Sequence, residues 1–289
     1  MQPAILSLDI GTSIVKSVIF DADGREIALS EYPCPLLTPH PGYAEQDPVE
    51  LFNAVLKVIE EAVEQLPEGM HIAAAVLSTQ GGSTLPVDGH GEPLHPIITW
   101  LDQRAANLVD RWKNEGLDRW IRQRSGWSPQ PGLPLSVICS LREDQPEVHA
   151  SASMFLSVND YITHRLTGNL ITNPSMAGEM LLTDVHTGKY SEDLCSFAGI
   201  HTHQLSPIHS SDSISGSILP EICSRTGLPE GTPLINGGQD HSCEALALGL
   251  TRPGSFLLAC GTAWVINAVT VSADVRSLPP RMALNPHVL

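Results

Sequence analysis

The sequence predicts an α/β fold, and its first 80 residues supply the observations behind that prediction. Ala4–Leu8 is an almost wholly apolar run, which is typical of a strand buried on both faces, and Ile14–Phe20 reads as a second strand after a tight turn. Arg25–Tyr32 is expected to be a third strand of the same meander, and Ile72–Leu77 is an apolar strand that comes after a helix. The predicted order is therefore three strands, a helix and a strand.

The helix between those last two strands has clear sequence signals. Its start is predicted at Asp47-Pro48-Val49-Glu50, with Asp47 as the N-cap, Pro48 at the first helical position and Glu50 at the third. Apolar residues then recur at helical spacing, at positions 51, 55, 58, 59, 62 and 66. A dinucleotide-binding fold would need an early βαβ crossover with G-x-G-x-x-G. Neither that fingerprint nor a Walker A motif occurs in the sequence.

The turn between the first two strands carries residues suited to a phosphate and a metal ion. Asp9 ends the first strand, Gly11-Thr12-Ser13 is rich in backbone N–H and hydroxyl donors, and Lys16 follows in the second strand. A carboxylate can hold Mg²⁺, and turn N–H groups can cradle anionic oxygens. An ordinary β-hairpin with a polar turn is the alternative, since D-x-G-T alone is a weak signal and lysines are common on exposed strands.

The middle of the chain is predicted to be mainly helical. PIITWLDQRA, from Pro96, reads as a strand whose end delivers Trp100, Asp102 and Arg104. Taken alone, these residues have ordinary structural interpretations. Trp100 could pack in a core, Asp102 could be the N-cap of the next helix, and Arg104 could be a solvated helix residue with an acidic partner. Helices are expected near 103–113, 117–124, 135–142, 159–168, 175–182, 191–197 and 220–227, and a Ser-rich loop over 210–216.

A second informative stretch begins at Pro233. Leu234–Asn236 is expected to be a strand, Gly237-Gly238-Gln239-Asp240 a flexible turn, and His241–Gly249 a helix. Asp240 is predicted to be the N-cap of that helix.

The opening arrangement of strand, Gly-Thr turn and strand occurs a second time near the end of the chain. Ser255–Cys260 reads as a strand, Gly261-Thr262 as its turn, and Trp264–Val271 as the returning strand. Two similar lobes that hold one ligand between them are the expectation. Cys243 and Cys260, which flank the region of Asp240, are expected to be small buried residues.

Composition and charge limit the function classes. The 289 residues carry 16 Lys and Arg against 32 Asp and Glu, a formal charge of −16, which argues against a nucleic-acid partner. The sequence shows no apolar run long enough for a bilayer span and no signal peptide, and Met1 is expected to be the true start. Six scattered cysteines predict reduced thiols in a cytoplasmic protein, and His201, His203 and His209 are expected to be surface residues rather than a metal cluster.

Six motifs in order resemble the FGGY family of carbohydrate kinases, over essentially the whole chain. They are DIGTS at 9–13, WLDQR at 100–104, NDYITHRLTG at 159–168, LLTDVHTGKYS at 181–191, GGQDHSCEALALG at 237–249 and ACGTA at 259–263. The resemblance implies an ATP- and Mg²⁺-dependent kinase of a sugar or polyol. It implies a ribonuclease H-like lobe, the superfold of actin, hexokinase and Hsp70, over 1–236, and the start of a second such lobe over 237–289.

The resemblance also implies roles for individual residues. Asp9 would position Mg²⁺, Asp240 would be the general base, and Thr12, Ser13, Lys16, Gly261 and Thr262 would lie beside the ATP phosphates. Substrate contacts would come from Gln80, Gly81 and Gly82 and from Trp100, Asp102 and Arg104. A ketopentose such as xylulose is the expected substrate, with gluconate, glycerol and other polyols open; a homodimer is open as well.

The sequence departs from the family at two places. Relatives such as xylulokinase and glycerol kinase have large side chains where this chain has Gly81-Gly82. The family's second lobe, with its adenosine-binding segments, also continues well past MALNPHVL. A non-catalytic sugar-binding or regulatory fragment is therefore the alternative to an active kinase, and an actin-like assembly ATPase is a third option that WLDQR and GGQD argue against.

Overall fold

The structure is a computed structural model, and it describes residues 2–260, 264–272, 274–279 and 281–288. The strands, in chain order, are β1 (Gln2–Ile10), β2 (Ile14–Asp21), β3 (Glu26–Pro33), β4 (Glu45–Gln46), β5 (Met70–Thr79), β6 (Leu85–Val87), β7 (Ile97–Ile98), β8 (Met154–Leu156), β9 (Ile214–Ser217), β10 (Pro233–Gln239), β11 (Phe256–Cys260) and β12 (Trp264–Ala268). The α-helices are α1 (Pro48–Glu64), α2 (Ala106–Glu115), α3 (Leu117–Ser125), α4 (Pro134–Asp144), α5 (Pro146–Ser151), α6 (Val158–Thr167), α7 (Pro174–Glu179), α8 (Glu192–Ala198), α9 (Pro220–Thr226) and α10 (Asp240–Ala247). Short 3₁₀ turns occur at Thr202–Gln204 and Val275–Ser277.

Six of the described strands form one mixed sheet in the order β3-β2-β1-β5-β10-β9. The predicted meander of β1, β2 and β3 is antiparallel, and β1, β5 and β10 run parallel to one another. This arrangement, in which α1 joins the meander to β5, is a ribonuclease H-like α/β lobe and confirms the predicted order of three strands, a helix and a strand.

The main core lies on one face of that sheet. The side chains of β1 alternate, so that Ala4, Leu6, Leu8 and Ile10 are buried while Ile5 on the other face is 40% exposed. The buried face packs against α1, α6 and α9 in one continuous apolar cluster. A second cluster is built largely from α2, α4 and α8 and surrounds Phe155 of β8.

The predicted start of α1 is confirmed. Asp47 is the N-cap, and its side chain accepts hydrogen bonds from the backbone N–H groups of Val49 and Glu50. Pro48 is the first helical residue, where its missing N–H costs no hydrogen bond.

Two predictions about strands are wrong. The predicted Ser-rich loop over 210–216 includes β9, whose residues Ile214–Ser217 pair with β10 as the edge strand of the sheet. The predicted flexible turn at 237–240 is the last part of β10, where Gly238 pairs with Ser78 and Gln239 with Thr79, followed directly by the first residue of α10. Backbone hydrogen bonds to strands far away in the sequence determine both segments, and their own small residues carry no strand signal.

The extent of β10 also bears on the domain boundary. The strand continues to Gln239 within the first sheet, so a boundary between residues 236 and 237 would cut a paired strand. We therefore propose that the first lobe extends through α10. β11 and β12 pair with each other in a separate two-stranded sheet, as expected from the sequence.

The last described segment returns to the first lobe. The Leu284 N–H donates to the Gly126 carbonyl, and the Asn285 Nδ2 donates to the carbonyl of Ser175 in α7 at 3.0 Å. Arg122 of α3 donates through Nη2 to the carbonyls of Leu278 and Pro279.

Candidate functional site

The carboxyl ends of three parallel strands meet at one edge of the sheet. Asp9 near the end of β1 pairs with Ser78 of β5, and Ser78 pairs on its other side with Gly238 of β10. Asp240 directly follows β10. The chain thus brings Asp9 and Asp240 to the same edge, where α/β sheets commonly bind ligands.

The environment of Asp9 disfavours a negative charge. Burial raises the pKa of its carboxyl group, the positive charge of Lys16 lowers it, and the negative charge of Asp240 raises it. Lys16 stands directly opposite Asp9 in the antiparallel pair of β1 and β2. The structure therefore brings together the predicted metal residue Asp9, the predicted phosphate residue Lys16 and the predicted base Asp240.

The turn after β1 is tightly closed. The Gly11 N–H donates to the Ile14 carbonyl at 3.1 Å, and a Cβ at Gly11 would approach that oxygen to 2.7 Å, so a larger residue does not fit without a shift. Ser13 is exposed at the tip, and its carbonyl accepts a hydrogen bond from the Cys34 N–H.

The Thr12 side chain links this turn to two predicted substrate residues. Its hydroxyl donates to Gln80 Oε1 at 2.9 Å and accepts from Trp100 Nε1 at 3.0 Å. Gln80 in turn donates to Gln46 Oε1, and Gln46 Nε2 donates to the Thr12 carbonyl. Trp100 is 37% exposed, so its side chain is not packed in a core. Its indole ring lies beside the turn, where Nε1 donates to Thr12.

Asp102 and Arg104 belong to a buried ion-pair network. Arg104 donates from Nε to Asp102 Oδ1 at 2.9 Å and from Nη2 to Glu45 Oε1 at 2.5 Å, and its side chain is only 4% exposed. The Ala44 N–H donates to Asp102 Oδ2, and the guanidinium carbon lies 4.2 Å from the centre of the Tyr43 ring. The geometry thus favours a structural role for both side chains over substrate contact.

The alternative interpretations of those two residues are wrong. Asp102 is not the N-cap of α2, because that helix begins at Ala106 with Ala105 as a cap that has no side-chain hydrogen bond. Arg104 is not solvated either, although its predicted acidic partners are present.

The prediction that Asp240 caps α10 is also wrong. The N-cap is Gln239, whose Oε1 accepts from the Ser242 N–H at 3.0 Å, and Asp240 is the first helical residue. The Asp240 carboxylate accepts from Gln239 Nε2 at 2.6 Å and from the His241 N–H at 2.7 Å. Burial raises its pKa, which the interaction with His241 partly offsets. A raised pKa brings a carboxylate closer to the value useful for accepting a proton.

Gly81 and Gly82 follow β5 between these groups. A Cβ at Gly82 would approach the Leu133 side chain to 2.9 Å, and a Cβ at Gly81 would overlap the carboxyl group of Glu179. A side chain at position 81 would therefore require Glu179 to move and one at position 82 would require Leu133 to move, and the φ of 68° at Gly82 also favours glycine.

Sequence reasoning missed Glu179. It ends α7, and its carboxyl group lies over Gly81 at the same edge as Asp240. Burial raises the pKa of Glu179 to about 8, and the negative charge of Asp240 adds to that shift. A signal was present, because Glu179 is the one charged residue between Arg165 and Asp184 in an otherwise uncharged sequence.

Whether this edge of the sheet suits a metal ion depends on the side chains that could be its ligands. Within the described part of the chain, no three His, Cys, Asp or Glu side chains cluster closely enough to hold a metal. Mg²⁺ commonly binds through one or two carboxylates together with substrate phosphates and water, so Asp9, beside Asp240, suits that mode. Gly261 and Thr262, predicted for the second phosphate turn, lie outside the described residues.

The remaining cysteines and histidines follow the predictions in part. All six cysteines are free. Cys260 is exposed rather than buried, and Cys243 is half-buried; Cys260 ends β11, which pairs with β12 in a separate two-stranded sheet. His201, His203 and His209 are surface residues, as predicted. Among the described helices, none has the length and apolar content needed to cross a membrane.

The fold and this edge define a class of protein, the ribonuclease H-like α/β lobes with an acidic residue at the end of the first strand. A family model for the N-terminal domain of the FGGY family of carbohydrate kinases matches residues 4–247. The chain belongs to the FGGY family of carbohydrate kinases.

Individual relatives agree with that assignment. The chain is 30% identical over 268 residues to an L-xylulose/3-keto-L-gulonate kinase of Escherichia coli, covering 92% of this chain and 54% of that protein. It is 27% identical over 269 residues to a gluconokinase of Bacillus subtilis, covering 93% and 52%. The crystal structure of a xylulose kinase from Rhodospirillum rubrum matches with a TM-score of 0.92 at 27% identity, covering 99% of this chain and 58% of that one. The chain thus spans about half the length of the curated relatives that it matches.

Proposed function

We propose that this chain takes part in the ATP-dependent phosphorylation of a hydroxyl group on a sugar or polyol. The observation that carries the proposal is the meeting of Asp9 and Asp240 at the carboxyl ends of β1 and β10. Phosphoryl transfer to a hydroxyl needs a metal-binding acid on one side and a proton acceptor on the other. Membership of a carbohydrate kinase family supports this reaction over other uses of the same fold.

Asp240 is the proposed general base. Its Oδ1 is held by Gln239 and by the His241 N–H, which fixes the orientation of the carboxylate. Burial raises its pKa, so the carboxylate is a better proton acceptor than a solvated aspartate.

The phosphate side is proposed to include Thr12, Ser13, Lys16, Gly261 and Thr262, with Asp9 as the residue that positions Mg²⁺. The metal would neutralise charge on the phosphate oxygens. Lys16 lies close enough to lower the pKa of Asp9, and so shares the region in which that charge would lie.

The substrate side is proposed to include Gln80, Gly81, Gly82 and Trp100. Gln80 and Trp100 are both hydrogen-bonded to the Thr12 side chain. The proposed substrate residues and the proposed phosphate turn are therefore directly connected. A ketopentose such as xylulose is the proposed substrate, since relatives are named for xylulose and L-xylulose. The buried network of Asp102 and Arg104 supports the loop that presents Trp100.

The test is the substitution Asp240→Asn. Sugar-dependent consumption of ATP should fall about 10²–10⁴-fold, because an amide cannot accept the proton. The sugar dissociation constant, measured by titration calorimetry, should stay within about threefold of the wild type, which is below 1.4 kcal/mol. Asp110→Asn is the matched control: it makes the same change at a side chain 69% exposed on α2 and should leave turnover unchanged.

Near-normal turnover of Asp240→Asn would contradict the role of general base. A thermal-shift screen of sugars is the companion experiment. A ligand at 100 times its Kd adds about 2.7 kcal/mol to the stability of the protein, which is readily seen as a higher Tm.

A further inference from the structure

Glu179 ends α7 with one of its oxygens closed to solvent. The Oε2 atom is buried and has no hydrogen-bond partner within the described part of the chain. A buried carboxyl oxygen without a partner is costly, and such groups in native proteins usually serve a ligand or another function.

The carboxyl group occupies the space beside Gly81 and Gln239. A Cβ at Gly81 would overlap Oε2 of Glu179 and would lie 2.9 Å from Cγ of Gln239. Glu179 thus takes the place of a side chain at position 81, at the carboxyl end of β5. Gln239 carries the amide that holds the Asp240 carboxylate, so Glu179 lies one residue from the proposed base.

We propose that Glu179 is a specificity-determining residue that hydrogen-bonds a hydroxyl of a neutral sugar or polyol and disfavours sugars that carry a carboxylate. This inference rests on the proposed function and adds the substrate class to it. Some relatives are named for neutral ketoses and others for sugar acids. Their names therefore do not decide whether this chain prefers a neutral sugar or a sugar acid.

The charges around Glu179 support the discrimination. Asp240 raises the pKa of Glu179, so the two acids interact, and Asp9 interacts with Asp240 in turn. The positive charge of Lys16 acts on Asp9. Lys16 lies on β2, and β1 separates β2 from β5, the strand after which Glu179 lies over Gly81. A substrate carboxylate placed here would therefore meet acidic groups.

The hydrogen-bonding capacity fits a hydroxyl equally well. Burial raises the pKa of Glu179 to about 8, so near neutral pH the carboxyl group can both donate a hydrogen bond and accept one. A sugar hydroxyl also does both. At higher pH the group becomes charged, and a sugar acid would then be disfavoured more strongly.

The experiment is titration calorimetry of the chain with xylulose, xylitol and gluconate. The wild type should bind a neutral compound at least about 10-fold more tightly than gluconate, because an unfavourable charge contact changes affinity by this order. Glu179→Ala should weaken binding of the neutral compound about 10- to 100-fold, the usual effect of one hydrogen bond to a charged or buried group.

Glu179→Gln separates charge from hydrogen bonding. It keeps the size and can still hydrogen-bond a hydroxyl, so binding of the neutral compound should stay within about threefold. At about pH 9, where the Glu179 carboxyl group of the wild type is charged, gluconate should bind the variant about 10-fold more tightly than the wild type. Circular dichroism confirms folding of each variant, and Glu143→Gln, at a side chain 44% exposed on α4, is the control that should change neither affinity.

The outcomes are distinct. If Glu179→Ala binds the neutral compound as the wild type does, or if the wild type prefers gluconate, the inference is overturned while the proposed function stands. If none of these compounds binds to any variant, both are overturned.

Discussion

Asp9, Glu179 and Asp240 each lie in surroundings that disfavour a negative charge. For all three, burial is the main cause of a raised pKa. An acid whose pKa is raised on folding makes the folded state less stable as the pH increases from the unfolded pKa towards the folded one. This edge of the sheet is therefore expected to lose stability between about pH 4.5 and pH 8, the ordinary and folded values for Glu179.

The substitution Glu179→Gln should remove part of that pH dependence. At pH 8 the variant should be more stable than the wild type, by at least about 1.4 kcal/mol, the equivalent of one pKa unit. At pH 4.5 the difference should shrink, because Glu179 is then protonated in the folded chain and already half protonated in the unfolded chain. Urea unfolding at both pH values measures this, with the contributions of Asp9 and Asp240 common to both proteins.

An equal stability difference at the two pH values would show that Glu179 does not titrate as the structure implies.

The residue scale also shows what the sequence could predict. Asp9 could be predicted because it stands at the end of an apolar strand before a glycine turn, and strand ends are visible in a hydropathy pattern. The sequence pattern places Asp240 only in a turn before a helix, and its role as a base comes from the resemblance to the family. Glu179 was missed because its role depends on the space beside Gly81, about 100 positions away, and no local pattern reports that contact.

Among the elements, the loop between β7 and α2 is fixed by ion pairs rather than by apolar packing alone. Arg104 joins Asp102 on its own loop to Glu45 of β4, all with side chains at most 9% exposed. A buried ion pair adds little net stability compared with an apolar substitute, but removal of one partner leaves the other charge unpaired.

Arg104→Ala should therefore be strongly destabilising, by about 3–5 kcal/mol, because it leaves two buried carboxylates without their cation. Urea unfolding monitored by tryptophan fluorescence measures the loss. The exposed pair of Arg111 and Glu143 is the control, and Arg111→Ala should cost no more than about 1 kcal/mol. Similar losses for both variants would contradict the structural role given to Arg104.

The helix α1 provides a smaller and cleaner case. Asp47→Ala removes two hydrogen bonds to the first turn and should cost about 1 kcal/mol. Asp47→Asn should cost little, since asparagine caps as well as aspartate does. Chemical denaturation of the three proteins gives the comparison, and equal losses for both variants would show that the charge matters rather than the cap.

Predictability differs between elements for a physical reason. α1 was predicted with its N-cap because its signals are local: a capping aspartate, a proline and apolar residues at helical spacing. β9 and the end of β10 were not, because Ser215, Gly216 and Ser217 and the segment Gly237–Gln239 are polar or small and become strands through their partners.

For the molecule as a whole, the meander order and the parallel strands were predictable, and the domain boundary was not. The pairing of Gly238 and Gln239 with β5 extends the first lobe beyond residue 236. We expect a chain that ends at residue 250, after α10, to unfold cooperatively, and one that ends at 232 to lack a single sharp transition. Thermal unfolding of both chains tests the proposed boundary.

The pairing of β10 with β5 also has a consequence in time. Ala75 of β5 pairs with Leu234 of β10, which follows it by about 160 residues. Most of the chain must therefore be synthesised before β10 can pair with β5. Contacts between residues so far apart in the sequence slow folding. During that interval the β5 edge is open to mispairing with another chain. Because Asp240 follows β10 directly, the proposed site assembles in the same late step, and refolding should restore ligand binding no earlier than the slowest phase of secondary structure.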